Sequence, residues 1–160
     1  MSYRPLIVAT VGLGLAVSAP QALAQDQPPA METMAAADIA WENIEVPGFR
    51  PGMQIAVLHG DFTVPDEPYA LRLMLPEGYR FPPHWHPRAE NVTVLEGTFL
   101  LKMGREFDES KLEEYAPGDY MYIRPENPHF GGAKSRVVLQ LHGTGPFEIR
   151  VVEGQGMAAK

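Results

Sequence analysis

Two histidines two residues apart, His84 and His86, are followed by a glutamate, Glu90, and a further histidine, His129, stands well downstream. In extended chain His84 and His86 leave the same face, because side chains alternate with a period of two. Pro87 then breaks the chain, and Glu90 can return to the same place with a carboxylate. Two imidazoles and a carboxylate can hold a divalent metal, and His129 offers a fourth ligand. The chain has no cysteine, so disulfides, thiol nucleophiles and thiolate ligands are excluded together, and any metal must be held by nitrogen and oxygen. Imidazole suits iron, nickel, copper and zinc, and the carboxylate also tolerates manganese, so residue type alone leaves iron, manganese, zinc and nickel open. Four protein ligands around a six-coordinate ion leave two positions for substrate, water or dioxygen, whereas a structural zinc is more often closed and tetrahedral. The ligands bind as neutral imidazoles and an ionised carboxylate, so affinity is expected to fall as protons compete near about pH 6.5.

Short strands must position these groups. Apolar and polar residues alternate, or run apolar, over 53–58, 69–75, 91–96, 98–103, 120–123, 136–142 and 147–152, with Gly and Pro punctuating the intervals. No long amphipathic helix is evident, and the pattern predicts an all-β antiparallel jelly-roll barrel. Segments 91–96 and 98–103 read as a hairpin turning at Gly97, and 108–114 reads as an exposed polar connection. Parity groups Tyr120, Tyr122 and Arg124 opposite Met121 and Ile123, and Gln140 and His142 opposite Leu139 and Leu141, without deciding which faces look inward. A Gln or His inside a barrel requires a hydrogen-bond partner, so Gln140 and His142, with Tyr120, Tyr122 and Glu96, are candidates to grip substrate or move protons. Phe81, Trp85 and Phe130 flank the ligands and are expected to form an apolar rim. Arg88 reads as a surface charge able to attract a carboxylate, and His59 as an exposed residue outside the site.

The stretch from Gly78 to Gly97 reads G-x5-H-x-H-x3-E-x6-G and resembles the first motif of the cupin superfamily without a gap. Gly118 to His129 resembles the second, G-x5-P-x-G-x2-H-x3-N, with three departures: Pro125 comes one residue late, Glu126 stands in place of Gly, and Ala133 in place of Asn. The resemblance covers about residues 70 to 152 and implies a double-stranded β-helix with a metal at His84, His86, Glu90 and His129. One such barrel hosts many chemistries. The expected function is therefore a dioxygenase-like metalloenzyme of small molecules. A non-redox isomerase, epimerase or lyase on a sugar or organic acid is the alternative, as is a binding protein without turnover.

The termini carry other information. Arg4, the apolar run 6–17 and Ala22-Leu23-Ala24 read as a secretory signal peptide over 1–24, too short and broken to anchor the protein stably in a bilayer. Residues 25–37 read as a flexible leader, 38–153 as the barrel domain and 154–160 as a tail; export, to the periplasm where there is an outer membrane, is expected. The formal net charge is −7, and one unit more negative without Arg4, which disfavours nucleic acid and anionic membrane as partners. A small-molecule ligand is the expected partner, together with a second copy of the chain in a homodimer covered by Trp41, Ile44 and Val46.

Overall fold

Alternating strands with one apolar face must bury that face against another layer. The computed structural model describes residues 30–157, and two antiparallel sheets do this for each other. One runs in the order β1 (Glu42–Asn43), β2 (Gln54–His59), β3 (Pro68–Leu75), β10 (Val137–Thr144), β5 (Glu90–Glu96) and β8 (Tyr120–Ile123). The other runs β11 (Arg150–Val151), β4 (Arg80–Trp85), β9 (His129–Ala133), β6 (Phe99–Met103) and β7 (Glu113–Tyr115). The chain is thus the expected jelly roll, and all its strands lie in the unit Met34–Lys160. The described residues of the remaining unit, 30–33, hold no regular element. The signal peptide 1–24 and the first five residues of the leader, 25–29, lie outside the described residues, as do residues 158–160 of the tail; a 3-10 turn occupies Ala36–Asp38.

Several local expectations are corrected. β5 and β6 are not a hairpin: they belong to different sheets, and Gly97 turns the chain from one to the other. Its φ is +78°, and a Cβ there would lie 2.0 Å from the Arg136 carbonyl oxygen, so only glycine fits. The stretch 147–152 contributes only the short β11, and the expected loop 108–114 holds a 3-10 turn (Glu109–Lys111) and the start of β7. β4 and β9 escape a propensity reading because the first contains Pro82-Pro83 and the second Gly131-Gly132, residues that weaken strands.

The core settles the parity. Leu71 and Leu75 of β3, Val92 and Val94 of β5, Met121 and Ile123 of β8, and Val137, Leu139 and Leu141 of β10 form one buried cluster between the sheets. Glu90 shares its face with Val92 and Val94 and so enters the barrel at the start of β5, opposite Ile123. In β4 the ladder to β9 slips between Phe81 and His84, where two prolines without N–H groups stand. The slip acts as a bulge. It lets Phe81 and His84, three residues apart, both line the interior, which an unbroken period of two forbids.

Candidate metal centre

His84, next to the end of β4, pairs with His129, its register partner at the start of β9, and His86 follows one residue beyond β4. Glu90 comes from the facing sheet, so the cluster bridges the two layers. His84, His86 and His129 each offer a ring nitrogen, and these three atoms lie within 4.8 Å of one another. The Glu90 Oε2 is 3.5 Å from His86 Nε2 and 3.6 Å from His129 Nε2. All four side chains are buried.

The hydrogen bonds decide which nitrogen is free. Each Nδ1 sits beside a backbone carbonyl: Pro82 at 2.9 Å from His84, Glu148 at 2.7 Å from His86, Asn127 at 3.1 Å from His129. A carbonyl only accepts, so each Nδ1 donates, and in the neutral ring Nε2 keeps its lone pair. Burial pushes all three histidines below their ordinary pKa, His86 to about 4, so they are neutral at pH 7. His86 Nε2 is buried with no hydrogen-bond partner. Lone pairs therefore converge on one another and on a carboxylate at distances too long for hydrogen bonds. Burial also holds Glu90 above its ordinary pKa, with His129 pulling the other way. A buried set of acceptors without a donor is an unfavourable arrangement that a cation relieves, and the carbonyls orienting the rings are the kind of outer support that metal-binding histidines have. The donor set fits a divalent transition ion held by His84, His86, His129 and Glu90.

The cluster faces an apolar cavity of about 50 Å³, whose remaining walls include Phe49, Met53, Leu73, Phe81 and Phe147. Phe147 stacks on His86, centroids 4.7 Å apart and planes at 16°, and Phe49 meets His84 edge-on at 5.0 Å. Tyr69, buried at the start of β3, packs against Phe147 at 5.8 Å; burial and the nearby Glu90 push its hydroxyl pKa up, so it stays protonated. Sequence reading missed Phe49, which lies in an irregular segment where no periodicity assigns a face, and Phe147, whose segment it took for a strand without assigning a face to the site. Tyr69 had a signal: it shares parity with Leu71, Leu73 and Leu75.

Other sequence candidates lie elsewhere. Gln140 is half-buried and His142 exposed on the face of β10 opposite Leu139 and Leu141, and Tyr120 and Tyr122 are 57% and 54% exposed. The reason is the parity of β8 and β10, which commits their apolar residues to the core. Tyr120 donates to Asn91 on the outer surface, and Glu96 pairs with Arg136 there. Of the expected aromatic rim only Phe81 lines the cavity. Trp85 points outward under the Arg150 guanidinium, and Phe130 packs with Phe107 on the far side of β9. Arg88 pairs with the exposed Asp66, and His59 ends β2 away from the cluster. Ile44 and Val46 pack against this chain's own core, while Trp41 is half-buried just before β1. Glu126 has φ +60°, the left-handed conformation for which glycine is favoured, and its N–H donates to the His86 carbonyl at 2.8 Å. That turn fastens the second motif to the first.

A family model described as a cupin domain matches residues 71–142. No curated protein matches the sequence. Among solved structures, the chain is similar to the polyketide cyclase RemF from Streptomyces resistomycificus, at 22% identity over 76% of this chain and 85% of that one, TM-score 0.63. It is also similar to a cupin 2 conserved barrel domain protein from Rhodopseudomonas palustris (14% identity, 75% and 83% covered, TM-score 0.58). Rru_A2000 from Rhodospirillum rubrum, a cupin-2 domain, is a third (15% identity, 79% and 84% covered, TM-score 0.55). These are likenesses of fold.

Proposed function

Because the chain belongs to the cupin superfamily and its four donors meet at the inner end of an apolar cavity, we propose that it is a metal-dependent enzyme of small oxygenated organic molecules, of the dioxygenase type. The observation that carries this reading is the convergence of three proton-free Nε2 atoms and a buried carboxylate on a space otherwise walled by hydrocarbon. Iron bound there would supply dioxygen chemistry that no side chain of the cavity can perform. The carbonyls of Pro82, Asn127 and Glu148 hold the rings in their ligating tautomer. Glu90 supplies one negative charge, and Phe49, Phe81 and Phe147 keep bulk water from the reacting end of the substrate.

The non-redox reading is disfavoured by one observation. An isomerase or lyase on a sugar needs a base beside the substrate and polar groups for its hydroxyls, and the candidates Tyr120, Tyr122, His142 and Glu96 all lie on the outer surface. Tyr69, buried near Glu90, is held protonated and so cannot serve as that base.

Loading the protein anaerobically with ferrous iron and then measuring oxygen uptake with a panel of enols, phenols and diketones tests the proposal. Uptake that requires both substrate and iron, and that disappears in His84→Ala/His86→Ala, is the expected result. Turnover without oxygen in the zinc or manganese form would replace this reading with the non-redox one. Ligands that raise the melting temperature with no turnover would leave a binding protein.

A further inference from the structure

The space at the donors is small. At about 50 Å³ it falls well short of the roughly 150 Å³ in which an apolar cavity takes up a benzene ring. A second space of about 230 Å³ opens beside it, under the segment 44–47. Met53, Leu73, Phe147 and Ile149 line both, so the two spaces adjoin. The remaining walls of the outer space include Ile44, Val46, Ile55 and Phe62, and Glu45 is its one charged residue. Neither chamber has a Lys, Arg, Asn or Gln in its wall.

We infer that the substrate is a neutral molecule with an apolar body of one or two fused rings and one oxygen-bearing edge, the body lying in the outer chamber and only the edge reaching the four donors. This rests on the metal centre proposed above and adds what the centre acts on. The sizes require the division: a ring fits the outer chamber and is too large for the inner one, while an oxygen atom or dioxygen fits the inner one. The chemistry of the walls sets the polarity. A phosphate, sulfonate or carboxylate on the body would lose its water with no cation to replace it, and Glu45 at the mouth would repel it. A sugar would bury several hydroxyls against hydrocarbon. Flat hydrocarbon, by contrast, loses nothing and gains burial against Phe62, Phe147 and Ile44.

The test uses two chelators with identical donor atoms, 8-hydroxyquinoline and 8-hydroxyquinoline-5-sulfonate, titrated into the zinc-loaded full chain and followed by the fluorescence of the zinc complex co-eluting with protein. The neutral compound is expected to bind at least tenfold more tightly than the sulfonate. Val46→Trp, which fills the outer chamber at a distance from the donors, is expected to weaken that binding at least tenfold with zinc content unchanged. Equal or tighter binding of the sulfonate would overturn the inference, using the unaltered protein alone. So would a Val46→Trp protein that keeps its zinc and its affinity. Failure of the unaltered chain to hold zinc would instead strike the metal centre itself, so the two failures are distinct.

Discussion

Replacing Glu90 with glutamine separates what the cluster costs the fold from what it gives the metal. The carboxylate is buried, with the imidazoles of His86 and His129 at 3.5 and 3.6 Å, and burial raises its pKa more than the charge interaction with His129 lowers it. An unpaired buried charge costs several kcal/mol, and protonation caps that cost. Its folded-state pKa is raised, so the native chain holds the proton more tightly than the unfolded one, and the metal-free protein is penalised as pH rises through that range. Glutamine has the same shape without the charge. Taking the relief as about 2 kcal/mol, Glu90→Gln should raise the melting temperature of the metal-free protein by about 5–10 °C for a domain of this size. Saturating zinc or manganese should stabilise the parent by about 4 kcal/mol at a thousandfold excess over Kd, and the variant by much less, because it has lost the anionic ligand. Thermal melts with and without chelator read both effects. A metal-free variant that melts several degrees below the parent, yet gains as much from metal, would refute the reasoning, since Glu90 would then be a hydrogen-bonded structural group.

In the metal-free protein, His86 is neutral down to about pH 4 when folded but titrates near 6.5 when unfolded. Stability should therefore fall as pH drops from about 6.5 to about 4, by about 3 kcal/mol for this ring alone, as read by denaturant melts at stepped pH. Zinc should be retained at pH 6 and released nearer pH 4, lower than the unperturbed histidine value read from sequence; release centred on pH 6.5 would contradict the burial of the rings. Glu126→Gly should stabilise by about 1 kcal/mol because it removes a left-handed glutamate, and a destabilised variant would show that the Glu126 side chain does more than occupy the turn. If residues 1–24 are an export signal, the intact mass of protein recovered from a Gram-negative periplasm should begin at Gln25, whereas a full-length, membrane-associated product would make the apolar run an anchor.

The candidate donors were legible because metal chemistry constrains both type and spacing. His84, His86 and Glu90 need only a two-residue alternation and a break at Pro87, and His129 stands at the right interval from Gly118. The barrel was legible from its turns. What was not legible depends on which face of a strand meets the core: Tyr120-Met-Tyr-Ile123 and Leu139-Gln-Leu-His142 alternate equally well either way round. Only packing against the other sheet turns Met121, Ile123, Leu139 and Leu141 inward. The same holds for the slip at Pro82-Pro83, which changes which residues face inward within the metal stretch. Phe49 reaches the site from irregular chain, where no period assigns a face, and Phe147 from a segment that read as a strand but contributes only the short β11 beyond it. Gly97 announced a turn but not that the turn crosses between sheets.

Metal content of the purified protein tests the central proposal most directly. Elemental analysis of the chain recovered from its own cellular compartment should find about one transition-metal ion per chain. His84→Ala/His86→Ala should lose nearly all of it, and His59→Ala, altered at the end of β2 away from the cluster, should keep it. Parent stoichiometry retained in the double variant, or metal lost from His59→Ala while His84 and His86 prove dispensable, would contradict a centre built on the paired histidines.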